Sequence, residues 1–289
     1  MADAFGHISW RELWKNTADI IGDRAVARWL CETASGCDAH EFDAELNELV
    51  SARSGILLDA MVRRVLNGEP VQYVMGRWAF RHLDLMVDSR VLIPRPETEL
   101  IVDHVMSFLQ SRPAPYVVAD VGTGSGAIGL SLLHELPLGC ADVWMTDVSP
   151  DAIDVARANA AGIGRPAARA QFAVGSWCDA LPDQVKGSLD AVVSNPPYIS
   201  VHDTEVDESV LKHEPHSALF AGDDGLDDIR ILTQQVSNWL APGGLFIVEM
   251  GYQQADDVRR LFEHAGYRNI ETHTDLAGKP RFTAGHVGI

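Results

Sequence analysis

Positive charge is scarce in this sequence. Lys and Arg number 23 against 41 Asp and Glu, a formal net charge of −18 over 289 residues. Phosphate backbones are gripped by clustered Lys and Arg, so this balance argues against non-specific nucleic-acid binding. It suits a cationic ligand or a basic protein partner. Long apolar runs are missing too, and none approaches the ~20 residues that span a bilayer. Met1-Ala2-Asp3-Ala4-Phe5 lacks the basic and apolar regions of a secretory leader, so a cytoplasmic location is expected. The 4 cysteines (Cys31, Cys37, Cys140, Cys178) form no C-x-x-C pair, and reduced, buried thiols are expected. The 11 histidines show no H-E-x-x-H or comparable spacing, so no metal site is expected. What remains is the composition of an ordinary globular protein, 46% hydrophobic and 22% charged, long enough for two domains.

The chain reads as helical up to about Asn67. Ser9 and Asp23 are placed to cap helices, and Gly36 to end one. Apolar residues recur at helical spacing: Trp10, Leu13, Trp14, Ile20 and Ile21; Val26, Trp29 and Leu30; Phe42, Leu46, Leu49 and Val50. Ile56, Leu57, Met61, Val62, Val65 and Leu66 continue the pattern. They are expected to form the core of a small bundle. Gly68-Glu69-Pro70 breaks the last helix, and extended runs between Val71 and Val91 suggest a hairpin-like connector. Pro94 and Pro96 then lead into a helix reaching about Ser111. From Tyr116 onward strands and helices alternate. Strands are expected at 116–121, 141–146, 170–174, 189–194 and 245–250, with helices at 127–136, 150–161, 227–240 and 255–266. Two final strands, 268–275 and 280–287, close the chain. The pattern predicts an α/β fold: a Rossmann-like, doubly wound, mostly parallel sheet with a C-terminal antiparallel strand pair, beside a small N-terminal helical bundle.

Chemistry concentrates in two stretches. Asn195-Pro196-Pro197-Tyr198 follows the buried run Leu189–Ser194. Two prolines supply no N–H to a ladder, so the strand stops there and a rigid loop begins. In open α/β sheets that carboxyl end is where ligands sit. The Asn195 side-chain oxygen accepts hydrogen bonds, Pro196 keeps Asn195 extended and offers its carbonyl, and Tyr198 adds an aromatic face. Two convergent acceptors beside a ring suit a planar group bearing NH₂. The plain alternative is an Asn-Pro turn closing a strand.

The second stretch, Asp120-Val121-Gly122-Thr123-Gly124-Ser125-Gly126, follows the first strand of the alternating region and opens a helix. With Gly129 it contains G-x-G-x-x-G, a dinucleotide fingerprint. A pyrophosphate there would face repulsion from Asp120. The same carboxylate favours a ligand carrying an amino group and a sulfonium, namely S-adenosylmethionine. Asp147 ends the next strand, where a carboxylate holds ribose hydroxyls of either cofactor. Trp177 could flank the adenine, or simply pack.

Together these residues resemble S-adenosylmethionine-dependent methyltransferases acting on nitrogen. Gly68-Glu69-Pro70-Val71-Gln72-Tyr73, Leu92-Ile93-Pro94-Arg95-Pro96-Glu97-Thr98-Glu99, Glu214-Pro215 and Ala218-Leu219 narrow the resemblance. They are similar to the bacterial peptide-chain release factor N5-glutamine methyltransferases. That family implies cofactor contacts from Gly122, Gly124, Gly126, Asp147, Trp177 and Asn195, and Asp120, Thr123 and Ser125 of the same loop are expected to join them. It implies that Asn195, Pro196, Pro197 and Tyr198 hold the glutamine, with Asn195 and Pro196 aligning its nitrogen for transfer. The implied substrate is the Gln of the Gly-Gly-Gln loop in class 1 release factors. The implied organisation is a docking domain over 1–70, a connector over 71–95 and a catalytic domain over 96–289, acting as a monomer. Other readings are methylation of a ribosomal-protein glutamine, an adenine-N6 DNA methyltransferase, a scaffold without turnover, and a nicotinamide dehydrogenase.

Overall fold

The computed structural model describes residues 7–288; the leader reading at Met1–Phe5 lies outside them. The chain forms two compact units. One holds the described residues through Arg77 together with Glu208–His213, and the other holds Trp78–Asp207 and the residues from Glu214 on.

The first unit contains α1 (Trp10–Ile21), α2 (Arg24–Ser35), α3 (Ala39–Glu45), α4 (Ala52–Leu66), α5 (Val71–Met75) and, from later in the chain, Glu208–His213. Local side chains set the helix ends. The Asp23 carboxylate accepts the N–H groups of Ala25 and Val26 at 2.8 and 3.0 Å, satisfying donors that a first turn leaves orphaned. Asp38 and Glu41 form a reciprocal capping box. The core gathers Trp10, Leu30, Phe42, Val50, Leu58 and Met61. Six residues expected in it are exposed instead: Ile20, Trp29, Leu49, Ile56, Leu57 and Leu66. The helical spacing is present, but short helices enclose a core narrower than the apolar stripe they carry. The expected extended connector also starts differently, since Val71–Met75 is a helical turn ended by Gly76 in the left-handed region.

The second unit starts at Trp78, one residue into a hairpin of β1 (Arg77–Phe80) against β2 (Leu83–Met86). It continues with α6 (Glu99–Gln110), β3 (Tyr116–Val121), α7 (Ala127–Glu135), β4 (Ala141–Asp147), α8 (Pro150–Ile163), β5 (Ala170–Val174) and β6 (Leu189–Ser194). After α9 (Glu208–His213, of the first unit) come α10 (Asp227–Val236), β7 (Leu240–Glu249), α11 (Ala255–His264), β8 (Arg268–Thr274) and β9 (Pro280–His286). The large sheet has seven strands in the order β5-β4-β3-β6-β7-β9-β8. The first five are parallel, and β9 is antiparallel to both β7 and β8.

Alternation along each strand builds a layer on either face. Val118, Val193 and Ile247 pack with α6 and α7, whereas Ala119, Val192 and Phe246 pack with α10 and α11. Strand β7 corrects the sequence reading, which carried α10 to Leu240 and began the strand at Leu245. Leu240 already pairs with Leu189, and a register shift follows before Ala191 pairs with Leu245. Pro242-Gly243-Gly244 therefore interrupts the register and not the strand. The order reverses between β3 and β6, which places a ligand crevice at their carboxyl ends.

Candidate active site

The reversal brings together both stretches that the sequence singled out. Strand β3 runs into Gly122–Gly126 and β6 into Asn195. The buried Ser194 hydroxyl donates to the Val121 carbonyl at 2.7 Å and ties the two exits together. The glycine loop is anchored to β4, with the N–H groups of Gly122 and Thr123 donating to the Thr146 carbonyl at 2.8 and 2.9 Å. Gly122 has φ +76°, and a Cβ there would lie 3.0 Å from the Trp177 ring. This position therefore needs glycine both for its backbone and for the close approach.

A cavity of about 280 Å³ opens here. Gly122, Thr123, Gly124 and Ser125 line it, along with Asp147, Trp177, Asn195 and Pro197. Asp147 accepts the Gly124 N–H at 3.0 Å on one oxygen and the Ser149 N–H at 2.9 Å on the other. A carboxylate set in the wall at a strand end is the kind of acceptor that holds a diol. Burial raises the Asp147 pKa against the pull of those backbone donors. Trp177 sits at φ +45°, an uncommon conformation for a non-glycine residue. Its side chain bonds Asp228, which also lines the cavity.

Four residues expected to touch ligand lie outside the cavity lining. Asp120 does not line the cavity; it is 1% exposed and turned beneath the loop. One of its oxygens accepts the Thr123 hydroxyl at 2.7 Å and the Gly129 N–H at 2.9 Å. The other has no partner among the described residues. The carboxylate is drawn inward because the loop's own donors need an acceptor there. Burial pushes its pKa up to about 6. Gly126 also lies behind the wall; its φ is +85° and a Cβ would stand 2.8 Å from Leu130. Within the tetrapeptide, Pro196 and Tyr198 do not line the cavity. Tyr198 packs on the α10–α11 layer, and its hydroxyl donates to Glu249 at 3.4 Å.

Asn195 does reach the cavity, and its amide nitrogen donates to the Thr98 hydroxyl oxygen at 3.3 Å. Thr98 donates in turn to Glu249 at 2.6 Å. Neither partner was foreseen. Glu249 left one signal, as a lone charge in the apolar run Leu245–Met250. The segment Arg90–Arg95 supplies another wall. Glu214 holds it, accepting from Arg95 at 2.7 Å and from the Ile93 N–H at 3.1 Å. The arrangement offers a glycine cradle, a diol acceptor and an amide within one crevice. Those parts suit a nucleoside-bearing ligand beside a group that donates N–H.

Comparison with known proteins adds independent findings. Residues 98–216 match the Methyltransferase small domain, and residues 16–76 the PrmC N-terminal domain. The Release factor glutamine methyltransferase of Xylella fastidiosa (strain 9a5c) is 42% identical over 263 residues, covering 91% of this chain and 93% of that protein. The protein of the same name from Coxiella burnetii is 40% identical over 231 residues, 80% of each chain. Among solved structures, a protein-(glutamine-N5) methyltransferase (release factor-specific) from Alicyclobacillus acidocaldarius is 29% identical. That match covers 68% of this chain and 95% of that one, with a TM-score of 0.41.

Proposed function

The chain belongs to the release factor glutamine methyltransferase family, and from that membership we propose its substrate, its cofactor and the work of its residues. It transfers a methyl group from S-adenosylmethionine to the side-chain amide nitrogen of the glutamine in the Gly-Gly-Gln motif of class 1 release factors. The cofactor, when bound, supplies a methyl carbon made electrophilic by its sulfonium. The Gly122–Ser125 backbone, Asp147 and Trp177 are the residues that would hold it.

The chemical difficulty lies with the other reactant. An amide nitrogen is a poor nucleophile because its lone pair is delocalised into the carbonyl. Orientation is therefore the enzyme's main task, and alignment can lower a barrier by roughly 7–11 kcal/mol. The Asn195 side-chain oxygen accepts one N–H group of the substrate amide, and the Pro196 carbonyl, beside the cavity rather than in its lining, accepts the other. This fixes the plane of the amide and stabilises positive charge as it develops on nitrogen. No general base is needed, since a methylated, positively charged amide releases its proton to water. Residues 1–70 dock the release factor, 71–95 connect and 96–289 carry the chemistry. The enzyme works as a cytoplasmic monomer.

One observation carries this reading: Asn195 shares a cavity with the glycine loop and Asp147, and its amide nitrogen is already engaged by Thr98. The test is mass spectrometry of the Gly-Gly-Gln peptide after incubation of a class 1 release factor with the enzyme and S-adenosylmethionine. A gain of one methyl group on the glutamine is expected. Asn195→Ala should lower kcat by about 10²–10³, the cost of losing one preorganised transition-state partner, with little change in cofactor affinity. An unmodified peptide, or near-normal turnover by the variant, refutes the proposal.

A further inference from the structure

A side-chain amide presents an oxygen on one side and an NH₂ on the other, and only the oxygen can accept the substrate's N–H. Something must decide which way Asn195 faces. Glu249, at the carboxyl end of β7, is 1% exposed. One of its oxygens accepts the Thr98 hydroxyl at 2.6 Å. The other accepts the Tyr198 hydroxyl at 3.4 Å. Thr98 is itself buried, and its oxygen lies 3.3 Å from the Asn195 amide nitrogen.

The donor count settles the polarity of this chain of bonds. An ionised carboxylate only accepts, so the single hydroxyl hydrogen of Thr98 is committed to Glu249. Thr98 then has only lone pairs left for Asn195. An amide oxygen turned toward those lone pairs would be repelled, whereas the NH₂ group is bonded. The Asn195 oxygen therefore points the other way.

We propose that Glu249 is a positioning residue which, acting through Thr98, holds the Asn195 amide with its oxygen presented to the substrate. The inference rests on the role given to Asn195 above and deepens it. Glu249 need not touch either reactant. A buried carboxylate is costly to keep, and the sheet gains nothing from one at this strand end that an apolar side chain would not supply.

Protonation reverses the logic. A neutral Glu249 can donate to Thr98, which frees the Thr98 hydrogen to meet the Asn195 oxygen and turns the amide round. Burial raises the Glu249 pKa to about 7; Glu97 pushes the same way, while Thr98, Tyr198 and Arg281 pull it down. Arg281 is divided between Asp275 at 2.8 Å and Glu97 at 3.5 Å. Turnover should accordingly rise as pH climbs through about 7, the direction in which Glu249 becomes a pure acceptor.

The experiment follows methylation of a release factor by Thr98→Val, Thr98→Ser and Glu249→Gln, with S-adenosylmethionine affinity measured by titration calorimetry. Thr98→Val should lower kcat about tenfold, the scale of one lost hydrogen bond, with affinity within about twofold. Thr98→Ser restores the hydroxyl and should recover most of the turnover, which a role in packing alone would not give. Glu249→Gln carries no titrating group and should lose the rise near neutral pH. Should Thr98→Val fail to fold, the pH profile of the nearly isosteric Glu249→Gln decides alone. Unaltered kcat in Thr98→Val, a Thr98→Ser variant as slow as the valine, or a pH profile unchanged in Glu249→Gln would each overturn the inference. If the wild-type enzyme leaves the glutamine unmodified, or Asn195→Ala turns over normally, the functional reading falls and takes this one with it. If those two controls behave as proposed, failure belongs to Glu249 and Thr98 alone.

Discussion

Replacing Glu214 with Ala should loosen one wall of the cavity, at a cost that follows from two bonds. Glu214 is 4% exposed and joins residues about 120 positions earlier, accepting from Arg95 at 2.7 Å and from the Ile93 N–H at 3.1 Å. Removing one member of a fully buried ion pair costs about 3–5 kcal/mol. That range is too high here, because the Arg95 side chain is 29% exposed and water can solvate the freed guanidinium. Ile93 is 3% exposed, so its N–H is left without water, a penalty of about 1–3 kcal/mol. The two effects together give an expected loss of about 2–3 kcal/mol. Glu214→Gln gives up the charge and keeps one acceptor oxygen for two donors that now use separate oxygens, so it should lose about 1–2 kcal/mol. The segment that Glu214 holds supplies Pro94 and Arg95 to the cavity, and Pro215 lines it beside Glu214. Cofactor affinity should therefore fall about tenfold in the alanine variant, equivalent to about 1.4 kcal/mol. Urea unfolding gives the stability change, read from the midpoint at constant slope, and titration with S-adenosylhomocysteine gives the affinity. A loss below about 0.5 kcal/mol, the ordinary range for a surface substitution, would refute this reasoning.

Two further outcomes follow from the same geometry. Gly126→Ala combines a left-handed backbone with a Cβ 2.8 Å from Leu130; it should lose about 2 kcal/mol or more and lower the calorimetric Tm. Glu249→Gln should flatten the dependence of stability on pH. The folded-state pKa of Glu249 is raised from 4.5 to about 7, so the folded protein retains a proton that the unfolded chain has released. Unfolding free energy therefore falls as pH rises from about 4.5 through 7, by about 3 kcal/mol in all, with roughly 1 kcal/mol of it between pH 6 and 8. Urea unfolding at those two pH values checks the sign. A wild-type protein more stable at pH 8, or a variant with the same slope, contradicts it.

The parts of the site legible in the sequence are those made by neighbours along the chain. Gly122–Ser125 and Asp147 each stand just past or at a strand end, so strand prediction alone brought them toward one crevice. The fold was legible for the same reason, because alternating apolar runs and capped helices are local signals. The illegible parts join residues far apart. Thr98 and Glu249 are hydrogen-bonded across 151 positions, and Arg95 and Glu214 across 119. Nothing in either member's surroundings names its partner. Burial misled the reading in the first unit for a related reason. Periodicity marks which face of a helix is apolar, but not how much of that face finds something to cover it, and Ile56 and Leu57 on α4 stay exposed. Asp120 shows the same limit at smaller scale. Its position at the end of β3 was evident, but whether it faced ligand or loop depended on the donors of Thr123 and Gly129.

That inward turn changes how Asp120 favours a cation without removing the effect. Three strands of the sheet close with a carboxylate: Asp120 near the end of β3, Asp147 at the end of the adjacent β4, and Glu249 at the end of β7 beyond β6. Asp120 and Glu249 are buried, where a charge is screened far less than at the surface. Burial raises the Asp120 pKa to about 6, against the pull of the Thr123 hydroxyl and the Gly129 N–H. Its second oxygen has no partner among the described residues, so when ionised its field reaches the glycine backbone above it. A phosphate-bearing ligand in the crevice would meet that field as repulsion and a sulfonium as attraction. The glycines are the same in both cases; the carboxylates beneath and beside them make the distinction. The loop matches a dinucleotide fingerprint letter for letter, yet the buried carboxylate beneath it disfavours the negative charge that such a fingerprint receives.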